Sequence, residues 1–256
     1  MFTYEDAFKP GFRKMFLNLW DRYQIMMRQM LVTRRGNERF GQYGDREVSD
    51  FLDFETVIMT DATHVFSLYN LVALFKEFFG DSWPHWFGFP ENWETVRDII
   101  AYHDVAETKI GDWPKNGTND RKLKDRLELA FMTDFFADFP NQNGSSLLRQ
   151  FIRFQANPPT LPKLFDDFGF ILDTCLAETY GVHLRVSTIK NPSREDLAVI
   201  EQLGLTPDGT VTELLLHKFL GSIGDHYARF IFVGLIDVIF EDTYGRPVCA
   251  AVKKLY

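Results

Sequence analysis

Cysteine is scarce: the 256-residue chain holds two, Cys175 and Cys249. One conceivable bridge is no disulfide framework, so the sequence fits a reducing cytoplasm and a fold held by its core. Long apolar runs are missing as well. The longest, Phe230 to Ile236, is closed by Arg229 and Asp237, far short of the ~20 residues that cross a bilayer. The first residues, with Glu5, Asp6 and Lys9, lack the basic and apolar regions of a secretory signal, and no membrane association is expected. Positive charge is in deficit, since 28 Lys+Arg against 36 Asp+Glu leave a net charge of −8. That removes a general attraction to nucleic acid or anionic lipid; a small-molecule or protein partner is expected instead. Repeats, low-complexity tracts and strand-like alternation are also lacking.

What is present is a helical pattern rich in aromatic residues, which make up 16% of the chain within a hydrophobic share of 45%. Apolar residues at three- and four-residue steps predict helices over 4–32, 56–79, 94–109, 121–136, 146–155, 161–180, 194–203 and 212–240. The predicted fold class is therefore all-α. A polar segment at 33–47, with Gly36, Gly41, Gly44 and the basic Arg34, Arg35 and Arg39, is expected as a surface loop. Residues 80–93 contain three tryptophans with glycine and proline, and are expected to be buried under the body rather than to form a lid or a dimer contact.

Ionisable residues on apolar faces carry the chemical information, because a charge buried without a partner costs several kcal/mol. His64 shares its stripe with Leu68, Leu71 and Phe75, and His103 shares one with Ile99, Ile100 and Ile110. Asp173 is flanked at helical spacing by Gly169, Phe170, Leu176 and Ala177. Each alone is explained by a hydrogen-bonded core residue. Together with Asp104, they offer two imidazoles and two carboxylates from three helices, a donor set for one divalent cation with open coordination positions. Glu107 falls four residues after His103, on one face of the expected helix, and Asp112 lies at its end. Both are carboxylates suited to proton transfer beside a metal. Lys115 is the candidate for holding a phosphate, whereas Arg121, Lys122 and Lys124 are expected on a solvated helix start.

The segment AYHDVAETKIGDWP resembles the HD-domain metal-dependent phosphohydrolases, and within them the 5'-deoxynucleotidases, whose signature is HDxxE followed by a G-D-x-P turn. An upstream histidine is matched by His64 and a final aspartate by Asp173 in ILDTCLAETY. KDRLELAF and HYARFIFVGLIDVIFED are similar to two further helices of the family, so the likeness runs over roughly 56–240. The resemblance implies an HD-domain helical core over 51–241, an N-terminal extension of a helix and flexible loop over 1–50, and a C-terminal tail over 242–256. It implies one divalent metal, of Mn, Co, Mg, Zn or Fe, held by His64, His103, Asp104 and Asp173, with Glu107, Asp112 and Asp104 assisting catalysis. No further histidine stands between Val105 and Leu172, which favours one metal over two, and His85, His183, His217 and His226 are expected to be structural. The implied activity is hydrolysis of a nucleotide, a 5'-deoxynucleoside monophosphate above others, to nucleoside and phosphate. A nucleoside triphosphate hydrolase, a phosphodiesterase or a non-catalytic metal-binding scaffold are the alternatives. A homodimer is the subunit arrangement the family suggests.

Overall fold

The computed structural model describes residues 61–82, 84, 89, 91–110, 118–137, 143–155, 160–179, 184–189, 192–224, 226–248 and 252, with isolated positions 14 and 17. The expected first helix apart from those two positions, the 33–47 loop, most of the aromatic loop, Asp112, Lys115 and Cys249 lie outside the described residues. Within them every regular element is helical, as the periodicity predicts, and the only strand-like feature is an isolated antiparallel bridge between Arg185 and Thr210. No described helix is long and apolar enough to cross a membrane. The chain divides into two compact units, one over Asp61–Asp166 and one that includes Asp167–Tyr256.

In the first unit, helix α1 (Asp61–Phe79) buries Leu68, Leu71, Val72, Phe75 and Phe79 along one stripe. It stops at Gly80, whose φ of 79° is a left-handed conformation that glycine adopts without a Cβ clash. Helix α2 (Trp93–Tyr102) opens on Asn92, whose side chain accepts the Thr95 N–H at 2.8 Å. The Trp93 indole N–H donates to the Gly80 carbonyl at 2.9 Å, tying the start of α2 to the end of α1. A short helix α3 (Glu107–Ile110), then α4 (Thr118–Ala137) and α5 (Asn143–Phe154), complete the unit with the first turns of α6 (Leu161–Thr179). Ile99, Ala106, Met132, Phe136, Phe151 and Phe154 form its core, with Tyr102 set edge-on against Phe136. At roughly 1.5–3 kcal/mol for each fully buried large apolar side chain, such a cluster is a main source of cohesion.

The second unit holds the rest of α6, a 3-10 turn (Val186–Thr188), α7 (Arg194–Leu203), α8 (Val211–Ser222) and α9 (His226–Tyr244). Phe168, Phe219 and Phe232 pack as an aromatic trio with centroids 5.0 to 5.9 Å apart. The Tyr244 hydroxyl lies 2.8 Å from Thr212 Oγ1 and 3.3 Å from Thr210 Oγ1, which gives its buried end polar partners. Cys175 is buried, and burial pushes its thiol well above the usual range, as expected of an inert core cysteine. Arg246, in the expected polar tail, pairs through both terminal nitrogens with the buried Glu213.

Two expected helices are each broken in the structure. The span 212–240 is interrupted at Ile223, whose ψ of 113° leaves the helical region and whose carbonyl accepts from Arg229 Nε. Gly224 follows it. The span 94–109 ends at Tyr102, and His103–Ala106 form a turn before α3. His103 Nδ1 lies 2.8 Å from the Ile100 carbonyl, the acceptor that a continuing helix would give to the Asp104 N–H. The next bonds tighten to three-residue steps, Val105 N–H to Tyr102 O and Glu107 N–H to Asp104 O.

Candidate metal centre

The site is built in the first unit, from the start of α1, the turn after α2 and the start of α6. His64 falls on the buried face of α1, four residues before Leu68. His103 is placed by the turn just described, and Asp166 lies in the second turn of α6 among the buried Leu164, Phe165 and Phe168. His64 Nε2 stands 3.2 Å from Asp166 Oδ1, and His103 Nε2 stands 3.4 Å from the same oxygen. The rings lie 5.6 Å apart at 56°. Among the described residues, His64, His103 and Asp166 form the group whose potential ligand atoms all lie within 4.8 Å of one another.

A carbonyl can only accept a hydrogen bond, so the His103 proton sits on Nδ1, facing Ile100. In the neutral ring this leaves a lone pair on Nε2. That atom is buried and makes no hydrogen bond of acceptable geometry, although Asp104 Oδ2 is 3.2 Å away and Asp166 Oδ1 is 3.4 Å away. Lone pairs on nitrogen and on two carboxylates facing one another at this range repel unless positive charge stands between them. Burial alone lowers the His103 pKa, but the Asp104 and Asp166 carboxylates outweigh it and raise it well above the usual value. Burial likewise acts to raise Asp104 and Asp166, and is overcome for Asp104 mainly by His103 and for Asp166 mainly by Lys163, so both carboxyls stay far below their usual range. The pocket draws in cationic charge. Imidazole nitrogen with carboxylate oxygen is a donor set for a divalent first-row metal, so the residues present fit such an ion.

Asp104 is placed beside the group as expected, in contact with His103 Nε2. Asp173 is the fourth ligand that the sequence resemblance implies. It is buried on α6, seven residues past Asp166, in the part of the helix that belongs to the second unit. The carboxylate beside the histidines is Asp166, which sequence reasoning missed. A signal was available: positions 166 and 173 share a helix face, so an argument for one as an inward carboxylate applies to the other.

Glu107 opens α3 instead of sharing a continuous helix with His103. It is buried, and its Oε1 accepts from Lys124 Nζ at 2.8 Å. Lys124 corrects another expectation. It does not lie on a solvated helix start but is 1% exposed, also 3.7 Å from Glu128 Oε1, whose other oxygen accepts from Gln155. Lys122, two residues earlier, is exposed as expected. Comparison of the chain with protein-family models, with curated proteins and with solved structures gives no match.

Proposed function

We propose that this protein is a metal-dependent phosphohydrolase of the HD type, cleaving the phosphate ester of a nucleotide, a 5'-deoxynucleoside monophosphate above others, to nucleoside and phosphate. The observation that carries the proposal is the convergence of two imidazole Nε2 atoms on one oxygen of Asp166, with Asp104 alongside. It stands together with the HDxxE spacing of His103, Asp104 and Glu107. A divalent cation, when bound, supplies Lewis acidity toward the phosphoryl oxygens and a lowered pKa for water.

The chain's own groups divide the remaining work. Ile100 fixes the tautomer of His103 so that Nε2 is the donor atom. His64, His103, Asp166 and Asp104 hold the cation. Asp104, in contact with His103 Nε2, is assigned the orientation of the attacking water. Glu107, held by Lys124 at the start of α3, orients the loop that carries Asp104, since its N–H donates to the Asp104 carbonyl at 2.9 Å. Asp112 is assigned the proton delivered to the departing sugar oxygen, and Lys115 a phosphate contact, both from sequence position.

Purified protein supplemented with Mn²⁺, Co²⁺, Mg²⁺ or Zn²⁺ is screened against nucleoside mono- and triphosphates, with chelator and Asp104→Ala and Asp166→Ala controls. Chelator-sensitive release of phosphate and nucleoside, lost in both variants, is the expected result. Triphosphate or linear monophosphate as product assigns the same site to a different hydrolysis. Tight metal retention with no turnover of any substrate supports the scaffold alternative.

A further inference from the structure

A phosphate monoester carries close to two negative charges at neutral pH, and to reach this site it must approach Asp104 and Asp166, which repel it. The cation in contact with the cluster, among the described residues, is Lys163. Its Nζ lies 2.6 Å from Asp166 Oδ2, while Oδ1 of that carboxylate faces both histidines. Lys163 also meets solvent more than its neighbours do: its side chain is 32% exposed, against 12% for Asp166, 9% for His64 and 1% for His103. A second contact fixes its direction. The ammonium stands 5.6 Å from the centre of the Phe154 ring, and Phe154 in turn packs against the His103 ring.

We propose that Lys163 is the phosphate-recognition residue of this site, its ammonium shared between Asp166 and the phosphate monoester of the substrate. The proposal rests on the phosphohydrolase reading above and adds a residue that the sequence pattern did not single out. An ammonium has three donors and can serve a carboxylate and a phosphate oxygen together. Its position three residues before Asp166 on α6 puts it one helical turn away on the same side. The carboxylate oxygen turned away from the imidazoles therefore anchors the group that meets the incoming anion. Phosphate binding and the orientation of Asp166 are thus coupled through one side chain.

The test uses the full chain loaded with Mn²⁺ and titrated calorimetrically with inorganic phosphate, comparing wild type with Lys163→Met and Lys163→Arg. Mn²⁺ affinity and helical circular dichroism are measured in parallel. Lys163→Met is expected to weaken phosphate binding about tenfold or more and Lys163→Arg by about threefold at most, because the arginine keeps a charge-assisted contact. Mn²⁺ affinity stays within about fivefold in both. In turnover assays Lys163→Met raises KM more than it lowers kcat. Phosphate binding by Lys163→Met equal to wild type overturns the proposal, as does a wild type that binds no phosphate. Loss of Mn²⁺ affinity in step with phosphate affinity also overturns it, reducing Lys163 to a support for Asp166. If phosphate binds in a Lys163-dependent way while no nucleotide is turned over, the nucleotidase reading fails and the phosphate site stands.

Discussion

Lys124→Met removes a buried ammonium from between two buried carboxylates while keeping most of the aliphatic volume. Nζ stands 2.8 Å from Glu107 Oε1 and 3.7 Å from Glu128 Oε1, with the lysine side chain 2% exposed. At an effective dielectric of ~20 those separations correspond to roughly 6 and 4.5 kcal/mol of gross attraction. The desolvation of each ion takes back several kcal/mol, and removal of one partner from a buried pair costs about 3–5 kcal/mol net. Urea unfolding followed by circular dichroism at pH 7.5 should show a loss of that size. The sign of its pH dependence is fixed by linkage. Without the ammonium, the stranded carboxylates take up protons more readily in the folded protein than in the unfolded chain, so the deficit relative to wild type shrinks toward pH 5. Adding Glu107→Gln to Lys124→Met should recover part of the loss, since one stranded charge is removed. A deficit below about 1 kcal/mol, or one equal at both pH values, refutes the view that this lysine neutralises Glu107 and Glu128.

Three further outcomes test the packing of the second unit. Gly204, with φ of 61° at the end of α7, should lose about 1 kcal/mol in Gly204→Ala, read as a shift in urea midpoint at constant slope. Burial acts to raise Asp196, but bonds from Lys218 and Ser193 hold it below its usual pKa. Its contribution is therefore present above the unfolded carboxylate value and lost as pH falls through the lower folded one. Asp196→Asn should flatten that acid limb of stability, measured between pH 5 and pH 3. Tyr244→Phe removes one partner from the buried Thr210 and Thr212 hydroxyls, which keep the Thr212 N–H and Thr174 Oγ1, and should cost about 0.5–1.5 kcal/mol in the same assay.

Much of the architecture was legible because burial follows helical spacing: Leu68, Leu71, Val72 and Phe75 in α1, and Trp93, Val96, Ile99 and Ile100 in α2, are buried as their periodicity requires. The breaks were not legible. Apolar spacing runs on through 94–109, and nothing in it reveals that the His103 side chain takes the carbonyl of Ile100 and turns the chain. Two site residues, His64 and His103, stood out because an imidazole on an apolar stripe is conspicuous. Asp166 did not, since Lys163 three residues before it and Asp167 beside it give the segment the look of a charged, solvated helix start. Asp173, among apolar neighbours, drew attention for the opposite reason. Lys124 is expected on a solvated helix start because its partner Glu107 lies 17 residues away, beyond the reach of any local pattern.

The central claim is that His64, His103 and Asp166 share one divalent cation, and calorimetric titration of the metal-free protein with Mn²⁺ tests it most directly. Wild type should bind one equivalent, Asp166→Asn should bind at least about tenfold more weakly, and Asp173→Asn should remain within about threefold of wild type. A wild type that binds no Mn²⁺, or the reverse order with Asp173→Asn losing the metal and Asp166→Asn keeping it, contradicts the account.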